Sequence, residues 1–257
     1  IPGSLVGSEM CIRDRPSQLH SSEDLKHVFP SLIPQGLCGG ASYCDVVMEY
    51  EPLIQRLVDE ARKQGVRIVE NTRIERLYSD GHIDTADQTL EFDRVINAAG
   101  PWAAKLLEAS DVDSGFTIDH VRGSHLIVQA SFRHALVLQA PGEQRIIFVI
   151  PLDPEHVLLG TTEQKHDISD PIVCTDAESA YLLEILNQHL SEPIAASDIV
   201  SSFAGVRPIV RPRDTAPGDI SSASRDSEIE ISDLLISVFG GKWTSARHLG
   251  EKVAALV

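Results

Sequence analysis

The chain has 257 residues, 42% of them hydrophobic and 23% charged, which is ordinary globular usage and excludes a largely disordered chain. Its 22 Lys and Arg stand against 38 Asp and Glu, and the net charge of −16 excludes an extended basic nucleic-acid surface. The apolar runs LLISVF (234–239) and RIIFVIPL (145–152) fall far short of the roughly 20 residues that span a bilayer.

The first fifteen residues, IPGSLVGSEMCIRDR, follow no helical or strand period and lack the apolar region of a signal peptide. VGSEMCIRDR resembles the translated adapter remnants found at the ends of assembled environmental reads, so residues 1–15 are expected to be a non-native or disordered lead. The native chain is then expected to begin upstream and to run on past EKVAALV. Cys11 falls in this lead, and Cys38, Cys44 and Cys174 form no CxxC pair, so no metal site is expected and a reducing, intracellular setting is.

From Glu49 to Gln64, Leu53, Ile54, Leu57, Val58 and Ala61 recur at helical spacing, with Pro52 near the start and Gly65 just past the end. A strand is predicted over VRIVE (66–70), then strand-forming TRIERLY with a turn at Asp80-Gly81, then EFDRVINAAG (91–100) ending in small residues. A second helix is predicted from Trp102 to Ala109. Between 117 and 165 the runs VRGSHLIVQ, HALVLQ, RIIFVIPL and HVLLGTTE, separated by Pro, Gly and Asp, predict an antiparallel sheet. Thr175 and Glu178 at capping-box spacing open a helix whose stripe reads Ala177, Tyr181, Ile185 and His189. The sheet resumes at IVSSFAGVRPIV (199–210); after a polar loop (211–227), LLISVFGG (234–241) predicts a strand and KWTSARHLGEKVAAL a helix.

That order predicts a mixed α/β fold in which a Rossmann-like nucleotide-binding domain carries an inserted antiparallel β domain. The expected divisions are 16–110 and 211–257 for the first domain and 111–210 for the insertion. Two strand-to-helix junctions are candidate ligand sites. In VFGGKWTS, Gly240 and Gly241 allow close approach to the backbone, the following helix start offers free N–H groups, and Lys242 adds a charge. In INAAGPW, Asn97, Ala99, Gly100 and Trp102 repeat the theme, with close strand–helix packing the competing reading.

INAAGPWA, VRGSHLIV, RIIFVIPLDPEHVLLGTTE, FAGVRPIV and SVFGGKWTSARHLGE resemble, in order and spacing, the FAD-dependent glycerol-3-phosphate dehydrogenases of the D-amino-acid-oxidase-like flavoprotein fold. The likeness runs over residues 35–257. It implies FAD as cofactor, a small phosphate ester as substrate, oxidation of sn-glycerol 3-phosphate to dihydroxyacetone phosphate, quinone as electron acceptor, and peripheral attachment to the cytoplasmic face of a bacterial inner membrane. Residue by residue it implies that His125 contacts substrate as base or orienter, that Arg207 grips phosphate, and that Lys242 and Thr244 serve both substrate and flavin. It also implies cofactor contacts at Ile74, Asn97, Ala99, Gly100, Trp102, Gly240 and Gly241. Trp243 and Ser245 depart from the more usual Leu and Thr. Arg122, Arg211 and Arg213 are supplementary or solvated charges. The family's GxGxxG turn does not occur in the sequence, so this chain alone is expected to hold FAD weakly. Two other readings stay open: an oxidase of the same fold acting on an amine, amino acid or 2-hydroxy acid, and a non-catalytic ligand-binding relative.

Overall fold

A computed structural model describes residues 17–33, 35–47, 49–140, 142–143, 145–216 and 226–257; the lead at 1–15 and part of the polar loop at 211–227 lie outside the described residues. In chain order the elements are β1 (Gln18–Ser21), α1 (Ser22–Val28), β2 (Gly39–Ser42), α2 (Tyr50–Lys63), β3 (Ile74–Leu77), β4 (His82–Thr85), β5 (Thr89–Glu91) and β6 (Val95–Asn97). A short 3-10 turn (Gly100–Trp102) leads into α3 (Ala103–Ala109). There follow β7 (Phe116–Gln129), β8 (Leu136–Gln139), β9 (Ile146–Pro151), β10 (His156–Gly160), β11 (Gln164–Lys165), α4 (Asp176–Asn187), β12 (Ile199–Pro212), β13 (Ser227–Ser232), β14 (Leu235–Gly240) and α5 (Ala246–Ala254).

The largest sheet is antiparallel and built around the long strand β7. One edge of β7 pairs with β12 from Phe116 to Val128. Its other edge takes β10 over 125–129 and then β11 at 121–122, and β9 and β8 extend the sheet beyond β10. One face is covered by α4, whose Leu182 and Leu186 pack with Leu126, Val128, Ile147, Val149, Val157 and Leu159 into a core from which water is excluded. The capping box forms as its residues require: Thr175 Oγ1 accepts from the Glu178 N–H, and the Glu178 carboxylate accepts from the Thr175 N–H. The inward face of α4 differs from the expected stripe. Glu178, Leu182, Ile185 and Leu186 are buried, whereas Ala177 is exposed and Tyr181 and His189 are half-buried. The larger apolar side chains at 182 and 186 decide the rotation of the helix.

A second sheet orders β13-β14-β6, and β14 runs parallel to β6 with Ser237 opposite Asn97. The last strand thus returns to lie beside one that precedes the large sheet in sequence. A meander β3-β4-β5 completes this region, with its turn at Asp80-Gly81, and α3 packs under it through Ala103, Ala104 and Leu107. The predicted strand at 66–70 does not form: VRIVE is irregular, and Val66 and Val69 are exposed. β-branched residues favour a strand only when a neighbouring strand supplies hydrogen-bond partners, and none of the described strands pairs with this segment. The predicted helix at 49–64 forms as α2, with its apolar stripe half-exposed. Among the described residues no helix is long and apolar enough to cross a membrane.

Candidate active site

The face of the large sheet opposite α4 carries the first group of residues. Strand alternation puts Gly123 and His125 of β7 on this face, and antiparallel register sets Gly205 and Phe203 of β12 opposite them. The His125 and Phe203 rings stack at 5.1 Å with 12° between planes, a pairing that contributes about 0.5–1.5 kcal/mol beyond buried area. On the other side of His125 stands Gly160 of β10, where any Cβ would run into the imidazole. Arg207 lies two further positions along the same face of β12, and its guanidinium reaches across Gly123 to donate from Nη2 to Thr161 Oγ1 at 3.1 Å. A Cβ on Gly123 would sit 2.7 and 2.8 Å from the terminal guanidinium nitrogens. Two glycines therefore make the room in which an imidazole and a guanidinium lie flat on the sheet.

This setting changes the histidine. Burial, and second the Arg207 cation, push the His125 imidazole down to about 4, so it is neutral at neutral pH. Its Nδ1 is shielded from water and has no hydrogen-bond partner among the described residues.

The second group lies at the carboxyl ends of the parallel strands β6 and β14, the position where open α/β sheets receive ligands. Asn97 is buried, and its side chain shapes the turn from within: Nδ2 donates to the Ala103 carbonyl and Oδ1 accepts from the Ala99 N–H. Gly100 has φ +55° and no atom within 4 Å of a notional Cβ, so the turn is open to a ligand. Gly240 and Gly241 have φ +67° and +96°, which L side chains adopt only under strain. Lys242 and Thr244 are exposed beyond them, with Trp102 at 48% and Trp243 at 44% exposure. Ile74 is half-buried on β3 and packs on the Leu77–Leu107 core. The two groups are tied together: the His120 ring on β7 donates from Nε2 to the Pro101 carbonyl at 2.7 Å, the Phe116 and Phe239 rings meet at 5.8 Å, and β12 packs on β14.

Arg122, Arg211 and Arg213, the other arginines singled out in the sequence, have structural partners. Arg122 points to the α4 side and pairs with Glu178 at 2.7 Å, Arg211 pairs with Asp119 at 2.9 Å, and Arg213 reaches Glu108 at 3.5 Å. Two cavities, of about 630 and 450 Å³, lie elsewhere, the first beside α3 and the second over Arg122 and Glu178. Neither is lined by His125, Arg207, Lys242, Thr244 or the predicted cofactor contacts. Sequence reasoning missed Thr161, Phe203, Gly123 and Gly160. The alternation of FAGVR, which sets 203, 205 and 207 on one face, and the GTT of the β10 segment are the signals that point to them.

The model of the family described as FAD dependent oxidoreductase, DAO, matches residues 9–256. A glycerol-3-phosphate dehydrogenase of Pseudomonas aeruginosa is 32% identical over 252 residues, covering 91% of this chain and 48% of that protein. A D-erythritol 1-phosphate dehydrogenase of Brucella abortus is 28% identical over 229 residues, covering 83% and 45%. The crystal structure of the glycerol-3-phosphate dehydrogenase from Bacillus halodurans complexed with FAD superposes with a TM-score of 0.78 at 26% identity, covering 93% of this chain and 48% of that one. The chain spans about half the length of the curated relatives it matches. With glycine-lined turns at two parallel strand ends and a family match over nearly its whole length, the chain belongs to the FAD-dependent oxidoreductase family, DAO.

Proposed function

We propose that this chain is part of an enzyme that oxidises sn-glycerol 3-phosphate to dihydroxyacetone phosphate with FAD and passes the electrons to a quinone. The observation that carries the reading is the placement of a neutral histidine and an arginine on one open sheet face, each over a glycine. A phosphate monoester suits a guanidinium fork, and Thr161 holds the Arg207 fork at one end. His125 takes the proton of the secondary hydroxyl; because Nδ1 is shielded, Nε2 is the nitrogen that receives it. Phe203 and Gly160 keep the ring flat and partly dry, so its orientation is set before substrate arrives.

The second group fits FAD. The open Gly100 turn and the left-handed Gly240-Gly241 pair expose backbone N–H groups to a phosphate or a flavin carbonyl, and Lys242 stands beside them to balance negative charge. When bound, FAD supplies acceptance of the hydride from the substrate carbon. Quinone as acceptor and a peripheral seat on the cytoplasmic face of the inner membrane are the finer part of this proposal, and they rest on the likeness of the five sequence segments to the dehydrogenases. A longer polyol phosphate offers Arg207 the same group, and a carboxylate substrate would also suit its fork.

The test joins this chain to the remaining segments of the Pseudomonas aeruginosa relative and assays it with a short-chain ubiquinone. The reading expects dihydroxyacetone phosphate to accumulate in step with quinol. Turnover of glycine or glycolate in preference to any phosphate ester would move the function to another substrate class.

A further inference from the structure

The edge of β7 opposite β12 changes partner between His125, which faces Gly160 of β10, and Arg122, which faces Gln164 of β11. At the intervening Ser124 and Gly123 the chain of residues 161–163 detours, and Thr162 holds Ser124 through backbone and side chain together: the Thr162 N–H donates to the Ser124 carbonyl at 3.4 Å, and the Ser124 N–H donates to Thr162 Oγ1 at 2.9 Å. Thr162, only 1% exposed, points to the α4 side and donates in turn to Glu178 Oε1 at 2.8 Å. The next residue back, Thr161, faces the open side and receives Arg207. One detour therefore sets the place of the phosphate-binding guanidinium on the front of the sheet and is fastened from behind by a buried carboxylate.

Glu178 does more than a cap requires. Its Oε2 accepts from Thr175 Oγ1 at 2.8 Å and from the Thr175 N–H at 3.2 Å, which closes the capping box, and from Arg122 Nη2 at 2.7 Å. Its other oxygen is committed to Thr162. The bond to Thr162 ties the helix to the sheet and adds nothing to the helix end. A half-satisfied carboxylate at 5% exposure would be costly, so these four bonds also fix the side chain in one place.

We propose that Glu178 is a positioning residue for the oxidation, acting through Thr162 to hold Thr161, and with it Arg207, at fixed spacing from His125. This rests on the reading of Arg207 as the phosphate grip and of His125 as the base. Among the described residues the charge that acts on His125 is the Arg207 guanidinium on β12; Glu163 follows Thr161 in the detour, β10 presents Gly160 there, and Arg122 on β7 faces away to Glu178. Loosening the detour lets the guanidinium move and water enter, so both phosphate affinity and the histidine's titration respond.

The experiment uses the chain itself, with inorganic phosphate as probe and ¹³C-labelled histidine followed by NMR, the His125 signal being assigned by its loss in His125→Asn. Glu178→Asp keeps the charge and the cap but withdraws the carboxylate by one methylene from Thr162; Thr162→Val removes the relay hydroxyl at nearly constant volume. Both variants should weaken phosphate binding about tenfold, the loss expected of one bond in a charged network, and raise the His125 midpoint. Thr162→Ser should restore both values. Leu186→Ala, in the apolar core under α4 and outside the Glu178 hydrogen bonds, serves as the purely structural control, lowering the melting temperature of α4 and its sheet while leaving both readouts unmoved. The proposal is overturned if Glu178→Asp and Thr162→Val behave like Leu186→Ala. If the wild-type chain binds no phosphate, the phosphate grip fails as a reading, and the His125 midpoint still decides whether Glu178 positions the face.

Discussion

Replacing Arg207 with Gln removes one charge from the sheet face while keeping a polar side chain there, and the structure says how far His125 should respond. Two causes hold the imidazole down at about 4 rather than the ordinary 6.5, burial first and the Arg207 cation second. Burial survives the substitution, so less than half of that interval should be recovered. The midpoint should rise to about 5 and stop there, a change of roughly 1.4 kcal/mol or somewhat more in the cost of charging the ring. The assay is histidine NMR on the chain titrated between pH 7 and pH 3.5. Inorganic phosphate bound to the wild type should raise the midpoint in the same direction, because an oxyanion offsets the guanidinium, and it should do nothing in Arg207→Gln. An unchanged midpoint in the variant would show that the two side chains do not share one face electrostatically; a return to 6.5 would show that burial is not the larger cause.

Three other outcomes follow from the same geometry. In the enzyme completed with the relatives' remaining half, Lys242→Met should lower the flavin reduction potential by about 30 mV, equivalent to about 1.4 kcal/mol for two electrons, read by redox titration; an unmoved potential would separate Lys242 from the ring. His125 has its folded value below its unfolded one, so its share of stability is full above pH 6.5 and is lost as pH falls toward about 4. Glu178, held near 2 by hydrogen bonds from Thr162 and Thr175 that outweigh the opposing effect of burial, keeps its share above about 4.5 and loses it as pH falls toward 2. His125→Phe should therefore flatten the urea-unfolding free energy between pH 6.5 and 4.5 by about 1–2 kcal/mol after allowance for partial exposure; an equal slope in both proteins would count against the buried neutral ring. Leu186→Ala, at a position fully shielded under α4, should cost about 2–5 kcal/mol in urea unfolding, and a loss under 1 kcal/mol would mean that α4 does not seal the sheet.

What the sequence discloses is the chemistry that acts locally. Pro52 and Gly65 bracket α2, Asp80-Gly81 turns β3 into β4, and the Thr175–Glu178 spacing caps α4, because each of these signals operates within a few residues. Gly240 and Gly241 are legible for the same reason, since their positive φ is a property of the single residue. Longer-range consequences are not. VRIVE has every local mark of a strand and no partner among the described strands, and the rotation of α4 is decided by which side chains find the deeper space under the sheet. His125 and Arg207 could be named from their segments, but the stack on Phe203, the clearance at Gly123 and Gly160, and the second role of Glu178 depend on elements brought together across 16 to 84 positions of sequence.

Whether Arg207 selects the phosphate ester is decided by anaerobic mixing of sn-glycerol 3-phosphate with the FAD-loaded, completed enzyme, followed by the flavin absorbance. Full bleaching by this substrate is expected, with slower bleaching by glycerol without its phosphate, and loss of that preference in Arg207→Lys, which keeps the charge but not the fork. Equal rates with glycerol and glycerol 3-phosphate in the wild type, or an undiminished preference in Arg207→Lys, would contradict that selection.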